Sequence, residues 1–190
     1  DALRIYEMFM GPLEQVKPWQ MSGVEGVYRF LARTWRLFVN EETGALNAAI
    51  GDHPADRDVS RSLHTVIKAV TEGVEELRFN TPVSRMMEFV KLASKKKALR
   101  KADLETFVLV LSPYAPHLAE ELWSRLGHDD TLADEPWPKW DASVLATDSV
   151  TIAVQVQGKL RGQLEVPADA DRDAVLATAK ANPNVARHLE

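Results

Sequence analysis

The sequence predicts a mainly α fold: an antiparallel helix bundle followed by a small, truncated α+β domain. Three features carry this reading. Apolar residues recur at helical spacing in successive stretches between Val24 and Leu126. The breaks between them are short and marked by Gly, Pro and Asn, so consecutive helices reverse and pack side by side. Beyond Gly127 the apolar period changes from helical to alternating. No unit repeats at a fixed period, which disfavours a solenoid.

Residues 2–10 carry a short helical pattern that stops at Gly11-Pro12, and a loop runs through Lys17-Pro18-Trp19. Ser22 and Glu25 have capping-box spacing. Behind them Val24, Val27, Tyr28, Leu31, Trp35 and Phe38 share one helical face. Residues 44–57 hold Gly44, Gly51, Pro54 and several Asp, and read as a loop. Leu63, Val66, Ile67, Val70, Val74 and Leu77 give the next stripe. Thr81 is the expected N-cap of a third long helix, with Pro82 at its first position and Val83, Met86, Met87 and Val90 on its face. A basic hinge covers 95–101. Leu104, Phe107, Val108 and Leu111 begin a fourth helix, which Pro113 and Pro116 should kink or interrupt before Ala115, Leu118, Ala119, Leu122 and Leu126 resume the stripe.

Trp35 and Trp123 read as core, and Trp137 and Trp140 as clamps that hold the following linker on the bundle. Val150, Ile152, Val154 and Val156, then Leu160, Leu164 and Val166, predict a hairpin around Gly158-Lys159. Asp171 should cap a short helix closed by Asn182-Pro183. A hairpin with one helix is too little to stand alone, so further strands are expected to complete that domain. The expected boundaries are a lead-in at 1–19, the bundle at 20–127, a linker at 128–148 and the α+β segment at 149–190.

Apolar residues make up 45% of the 190 positions and charged residues 27%, an ordinary globular balance. The net charge of −5 argues against a bulk polyanion binder, so any nucleic-acid contact must come from local patches. The absence of cysteine excludes disulfides, thiolate zinc sites and cysteine nucleophiles. No apolar run approaches the roughly 18–20 residues of a membrane span. The opening residues do not resemble a signal peptide, so a cytoplasmic setting with no membrane partner is expected.

Two clusters invite a metal-site reading. His117, Glu120 and Glu121 lie together on a predicted helix but lack the second His of the zinc helix motif, and read as exposed side chains. Asp52, His53, Asp56 and Asp58 crowd one loop without EF-hand spacing, and read as a solvated loop. There is no Gly-rich phosphate loop and no nucleophile elbow. The expectation is no catalytic residue, no metal and no cofactor within these residues, so surfaces are where function should lie.

Arg29, Arg33 and Arg36 follow one another at i, i+4 and i+7 and form an exposed row. A solvated face and a phosphate-contacting row are both open readings. Residues 85–101 hold Arg85, Lys91, Lys95, Lys96, Lys97, Arg100 and Lys101 against Glu88 alone, a charge of +6 in a chain of net −5. A solvated turn and a nucleic-acid surface are again the alternatives. Lys159 and Arg161 flank the hairpin turn and could touch a backbone.

The segments DALRIYEMFMGPLEQVKPW, GVEGVYRFLARTWRLF, LRFNTPVSRMMEFV, LSPYAPHLAEELWSRLG, EPWPKWD and VQVQGKLRG, in this order, resemble bacterial leucyl-tRNA synthetase, a class I aminoacyl-tRNA synthetase. The PHLAEELW helix is shared with the valine and isoleucine enzymes; the first two segments are specific to the leucine enzyme. The resemblance implies that 1–19 is a stem leaving the catalytic domain. It makes 20–127 the anticodon-binding-type helical domain, and 149 the start of a C-terminal tRNA-binding domain. It also implies a monomeric parent that joins leucine to its tRNA with ATP and magnesium. The partners implied are leucine tRNA and the parent's own catalytic domain, and no DNA. The family's H-x-G-H and K-M-S-K-S signatures do not occur here, so these residues are expected to be inactive alone. Recognition would fall on tRNA shape rather than on the anticodon. The tRNA-binding candidates remain Arg29, Arg33, Arg36, Lys95, Lys96, Lys97, Lys159 and Arg161, chosen from charge geometry. The rival readings are the bundle of a valyl- or isoleucyl-tRNA synthetase, a non-catalytic helical protein-interaction module, and a metal-dependent hydrolase built on His117.

Overall fold

The computed structural model describes residues 1–146, 149–167 and 170–188. The ends of the expected linker (147–148) and of the expected α+β segment (189–190), and residues 168–169, lie outside the described residues. The chain divides into two compact units, Asp1–Leu145 and Ala146–Glu190.

The first unit is helical. Its elements are α1 (Ala2–Phe9), α2 (Met21–Phe38), α3 (Arg57–Glu75), α4 (Asn80–Ala93), α5 (Lys101–Leu111), α6 (Pro116–Arg125) and a final turn α7 (Ala142–Leu145). Helix α3 packs along α4 and α5, and α2 lies against α1, α4 and α6. Phe89 of α4 and Phe107 of α5 stack with ring centres 4.5 Å apart, both fully buried. This apolar core supplies the main driving force for the bundle.

Helix α3 buries Val59, Leu63, Val66, Ile67 and Val70, close to the expected stripe. Val74 and Leu77 leave it: both are exposed, and Leu77 adopts φ 57° just beyond the helix end. There the Arg78 N–H donates to the Gly73 carbonyl at 2.7 Å and the Leu77 N–H to Val74 at 3.4 Å. This is a Schellman closure with leucine at the left-handed position that usually falls to glycine. Gly127 fills the equivalent position after α6, with φ 95°. The tight reversal into α4 also needs Gly73, since a Cβ there would lie 2.5 Å from Pro82 Cγ. Helix α4 begins at Asn80, so Thr81 is inside the helix and is not its N-cap.

The capping box is likewise not formed. Helix α2 starts at Met21, which puts Ser22 within the first turn. Tertiary contact replaces the cap: the Gln20 N–H donates to the Tyr6 hydroxyl at 2.8 Å, and Gly23 meets the Tyr6 ring so closely that a Cβ would come within 2.7 Å of it. The buried residues of α2 are Val27, Phe30, Thr34, Leu37 and Phe38, a face rotated from the expected one, and Tyr28 is 65% exposed. Thr34 is tolerated there because its hydroxyl donates to the Phe30 carbonyl.

Pro113 and Pro116 interrupt the chain outright and separate α5 from α6. Asp1 caps the second piece, its carboxylate accepting from the Leu118 N–H at 2.7 Å. Within the loop expected at 44–57, β1 (Ile50–Gly51) pairs in parallel with β2 (Leu99–Arg100), tying that loop to the α4–α5 connection. Trp137 and Trp140 do clamp the following segment. Trp137 donates to the Thr71 hydroxyl at 2.9 Å, and the Lys68 ammonium sits 4.9 Å from the Trp140 ring centre. Trp123 is buried and stacked on His128, whereas Trp35 is half-buried beneath the Arg125 guanidinium.

The second unit is the hairpin β3 (Ser149–Val156) and β4 (Lys159–Pro167) with helices α8 (Arg172–Ala181) and α9 (Pro183–Ala186). The turn residues are Gln157 and Gly158, one position earlier than expected, with φ 52° and 76°. Both are left-handed, the geometry that suits a two-residue hairpin loop. Leu164 and Val166 are buried, as is Val185 of α9. Asp171 caps α8 by accepting from the Ala174 N–H.

Candidate nucleic-acid interface

Arg29, Arg33 and Arg36 all project from α2 into solvent. Arg29 has a loose ion pair with Glu25 at 3.9 Å, with both side chains about two-thirds exposed (66% and 69%). Arg33 and Arg36 have no ion-pair partner among the described residues. The rotation of the buried face matters here. At 100° per residue Arg33 stands about 90° from the centre of the buried face, at its edge, and Arg36 about 150° from it, yet both side chains reach the same cleft.

That edge faces the α4–α5 turn. A cleft of about 200 Å³ lies between them. Arg33 and Arg36 line one side, and Ser94 and Lys96 the other. Leu37, Ala93 and Leu99, all buried or nearly so, supply apolar lining. Asn47 completes it, locked by donating its amide to the Leu37 carbonyl at 3.0 Å and accepting from the Ala49 N–H at 3.0 Å. Asn47 was invisible to sequence reasoning, because a lone Asn in a loop has no periodicity and no charge. The two basic segments predicted separately thus meet at one place.

The turn is less uniformly basic than its sequence. Lys96 is engaged by Asp56 at 2.7 and 2.9 Å and by Asp58 at 3.4 Å. Arg85 pairs with Glu88 at 2.8 Å, Lys101 with Glu105 at 3.5 Å, and Arg100 with Asp103, which is buried. Lys91, Lys95 and Lys97 are exposed and have no ion-pair partner among the described residues.

The pairing shapes the local electrostatics. The hydrogen bond from Lys96, with those from the Val59 and Asp58 backbone, holds the Asp56 carboxyl below the usual carboxylate range. The same contact, with Asp58 beside it, raises the Lys96 ammonium above its ordinary value. Asp103 raises the Arg100 guanidinium in the same way. Asp56 also caps α3, accepting from the Asp58 and Val59 N–H groups, so one carboxylate fixes both a helix start and the turn.

Lys159 is exposed at the start of β4, in the second unit. Arg161 is half-buried, and its Nε is enclosed with no hydrogen-bond partner. The metal-like clusters are committed elsewhere. His117 Nδ1 lies 3.0 Å from Asp1, Glu120 accepts from Thr131 and Leu132, and Glu121 pairs with Arg125 at 2.8 Å. Among the described residues no group of three or more His, Cys, Asp and Glu could hold a metal ion. No helix among them is long and apolar enough to cross a membrane.

Guanidinium and ammonium groups around a shallow cleft can bind an anion. Comparison with known proteins identifies the family. The family described as "Anticodon-binding domain of tRNA ligase" matches residues 56–176. Leucine–tRNA ligase of Chlorobium phaeobacteroides (strain BS1) is 46% identical over all 190 residues, which cover 23% of it. That of Prosthecochloris aestuarii is 45% identical over the same span, again 23% of its length. The chain therefore spans about a quarter of the length of these relatives. A solved ternary complex, Agrobacterium radiobacter K84 agnB2 LeuRS-tRNA-LeuAMS, superposes with a TM-score of 0.74 at 28% identity, over 99% of this chain and 26% of that one. With its helical unit, its leucine-enzyme segments and these matches agreeing, the chain belongs to the anticodon-binding domain family of tRNA ligases and resembles the leucine enzymes along its whole length.

Proposed function

We propose that this chain is the tRNA-binding part of a leucine–tRNA ligase and holds tRNA by its phosphate backbone. The observation that carries the proposal is the meeting of Arg33 and Arg36 with Ser94 and Lys96 of the α4–α5 turn around one cleft, although the two segments lie far apart in sequence. Phosphate contacts fix register and orientation without reading bases, which suits a surface of cations. The solved ternary complex on which this chain superposes, LeuRS-tRNA-LeuAMS, supports the same partner.

In this reading the whole ligase activates leucine with ATP and magnesium, esterifies tRNA, and works as a cytoplasmic monomer. The helical unit keeps tRNA and catalytic domain in register, while catalysis and editing reside in other parts of the ligase. The test is a titration of the chain with leucine tRNA and with a short-variable-arm tRNA at two salt concentrations. Salt-sensitive binding that favours leucine tRNA is expected. Binding that is equal for both, or indifferent to salt, contradicts the proposal.

A further inference from the structure

We infer that the cleft between α2 and the α4–α5 turn seats a single backbone phosphate, gripped jointly by Arg33 and Arg36. The inference rests on the tRNA-binding reading and goes beyond it. A row of arginines along a helix would be expected to meet successive phosphates, one each. The geometry here points otherwise.

Arg33 and Arg36 are three residues apart, so they leave α2 on the same side, and both line the same cleft. Its volume of about 200 Å³ is below the roughly 300–1,000 Å³ of small-molecule pockets, a size for one small group rather than a nucleoside. No carboxylate lines it.

A count of donors separates the groups that grip from those that position. Lys96 is held by both oxygens of Asp56, at 2.7 and 2.9 Å, and by Asp58 at 3.4 Å, so its charge is already balanced by two carboxylates of the protein. The Ser94 hydroxyl hydrogen is used on the Val90 carbonyl at 2.7 Å. Asn47 gives one amide hydrogen to Leu37 and retains the other. The two guanidinium groups, with five donors each and no ion-pair partner among the described residues, are the charged donors left open at the site. Lys96 is therefore a positioning residue: its bond to Asp56 holds the far wall while the arginine forks bind.

The test measures the salt dependence of leucine-tRNA binding for the 190-residue chain and for Arg33→Gln, Arg36→Gln, the double variant and Arg33→Lys/Arg36→Lys. These positions are exposed, so thermal stability should be unchanged and serves as the folding control. A shared phosphate predicts that the double Gln variant loses one contact's worth of slope, about 0.7–0.9, and binds little worse than the weaker single variant. The double Lys variant should retain the slope while losing about tenfold or more in affinity, because an ammonium keeps the charge but not the fork. A slope loss near 1.4–1.8 in the double Gln variant means two separate phosphates, and an unchanged slope means none; either overturns the inference. Both of those results leave the tRNA-binding reading standing if the unmodified chain still binds with salt sensitivity. Absence of salt-sensitive binding by the unmodified chain defeats the reading and the seat together.

Discussion

The arginine row of α2 and the lysine-rich stretch 85–101 have opposite relations between charge in sequence and charge in space. The row holds three cations, and two of them are without an ion-pair partner. The stretch holds seven, yet Arg85, Lys96, Arg100 and Lys101 are each matched to a carboxylate. Sequence density would rank the second patch first. Pairing divides its work: Lys96 ties the turn to the start of α3, Arg85, Arg100 and Lys101 pair locally within one helical turn, and Lys91, Lys95 and Lys97 have no ion-pair partner among the described residues. Cations that serve the fold should reveal themselves in stability, and cations that serve the surface in binding.

The largest expected effect belongs to the most buried pair. Asp103 is 3% exposed; Arg100 holds one carboxylate oxygen and the other has no hydrogen-bond partner among the described residues. Arg100→Met would strand that carboxylate and should destabilise the chain by about 1–3 kcal/mol, read as a drop of several degrees in Tm. A Tm shift of less than a degree would erase the distinction between the two kinds of cation at its strongest point.

A smaller effect has a sign that separates simple charge from positioning. Asp56→Asn removes a negative charge near the cleft, so charge alone predicts tighter tRNA binding. The structure predicts weaker binding, by roughly two- to fivefold, because the turn carrying Lys95 and Lys97 loses its anchor. Asparagine remains a good N-cap, so α3 should persist. Tighter binding in this variant would show that Lys96 positions nothing.

The smallest effect is in the acid limb of stability. Asp56 is held below its ordinary value of 3.8, so its contribution is complete above that pH and is lost as pH falls through the lowered value. The gap between thermal melts of the unmodified chain and of Asp56→Asn should hold from pH 6 down to about pH 4 and close only as pH falls further, below 3.8. A gap that stays constant below 3.8 would exclude the ion pair as the source of the difference.

The stripes of α3 and α4 could be read directly because each helix buries one face whose residues are nearly all apolar. Helix α2 could not, since it meets α1, α4 and α6 and half-buries several sides, and its buried face includes Thr34, which an apolar pattern skips. Both missed caps failed for one reason: Tyr6 at α2 and the Gly73–Pro82 contact at α4 are tertiary, and local spacing cannot register them. The candidate site divides along the same line. Arg85–Glu88, Arg100–Asp103 and Lys101–Glu105 have helical i, i+3 or i, i+4 spacing and were open to pattern reading. The Lys96–Asp56 bond spans 40 residues, and the nearby pairing of β1 with β2 is two residues long, too short to leave a strand signal. The cleft, and with it Asn47, joins segments far apart in sequence.

The most direct test removes equal charge from the two classes of cation. Lys95→Gln/Lys97→Gln and Arg85→Gln/Lys101→Gln each delete two positive charges from the same stretch of chain. Leucine-tRNA binding should be titrated across salt for both. The account predicts that the first pair flattens the salt slope by up to about 1.4–1.8 and that the second leaves it nearly unchanged. Equal flattening by both pairs would mean that tRNA senses total charge alone, and would contradict the division between paired and free cations.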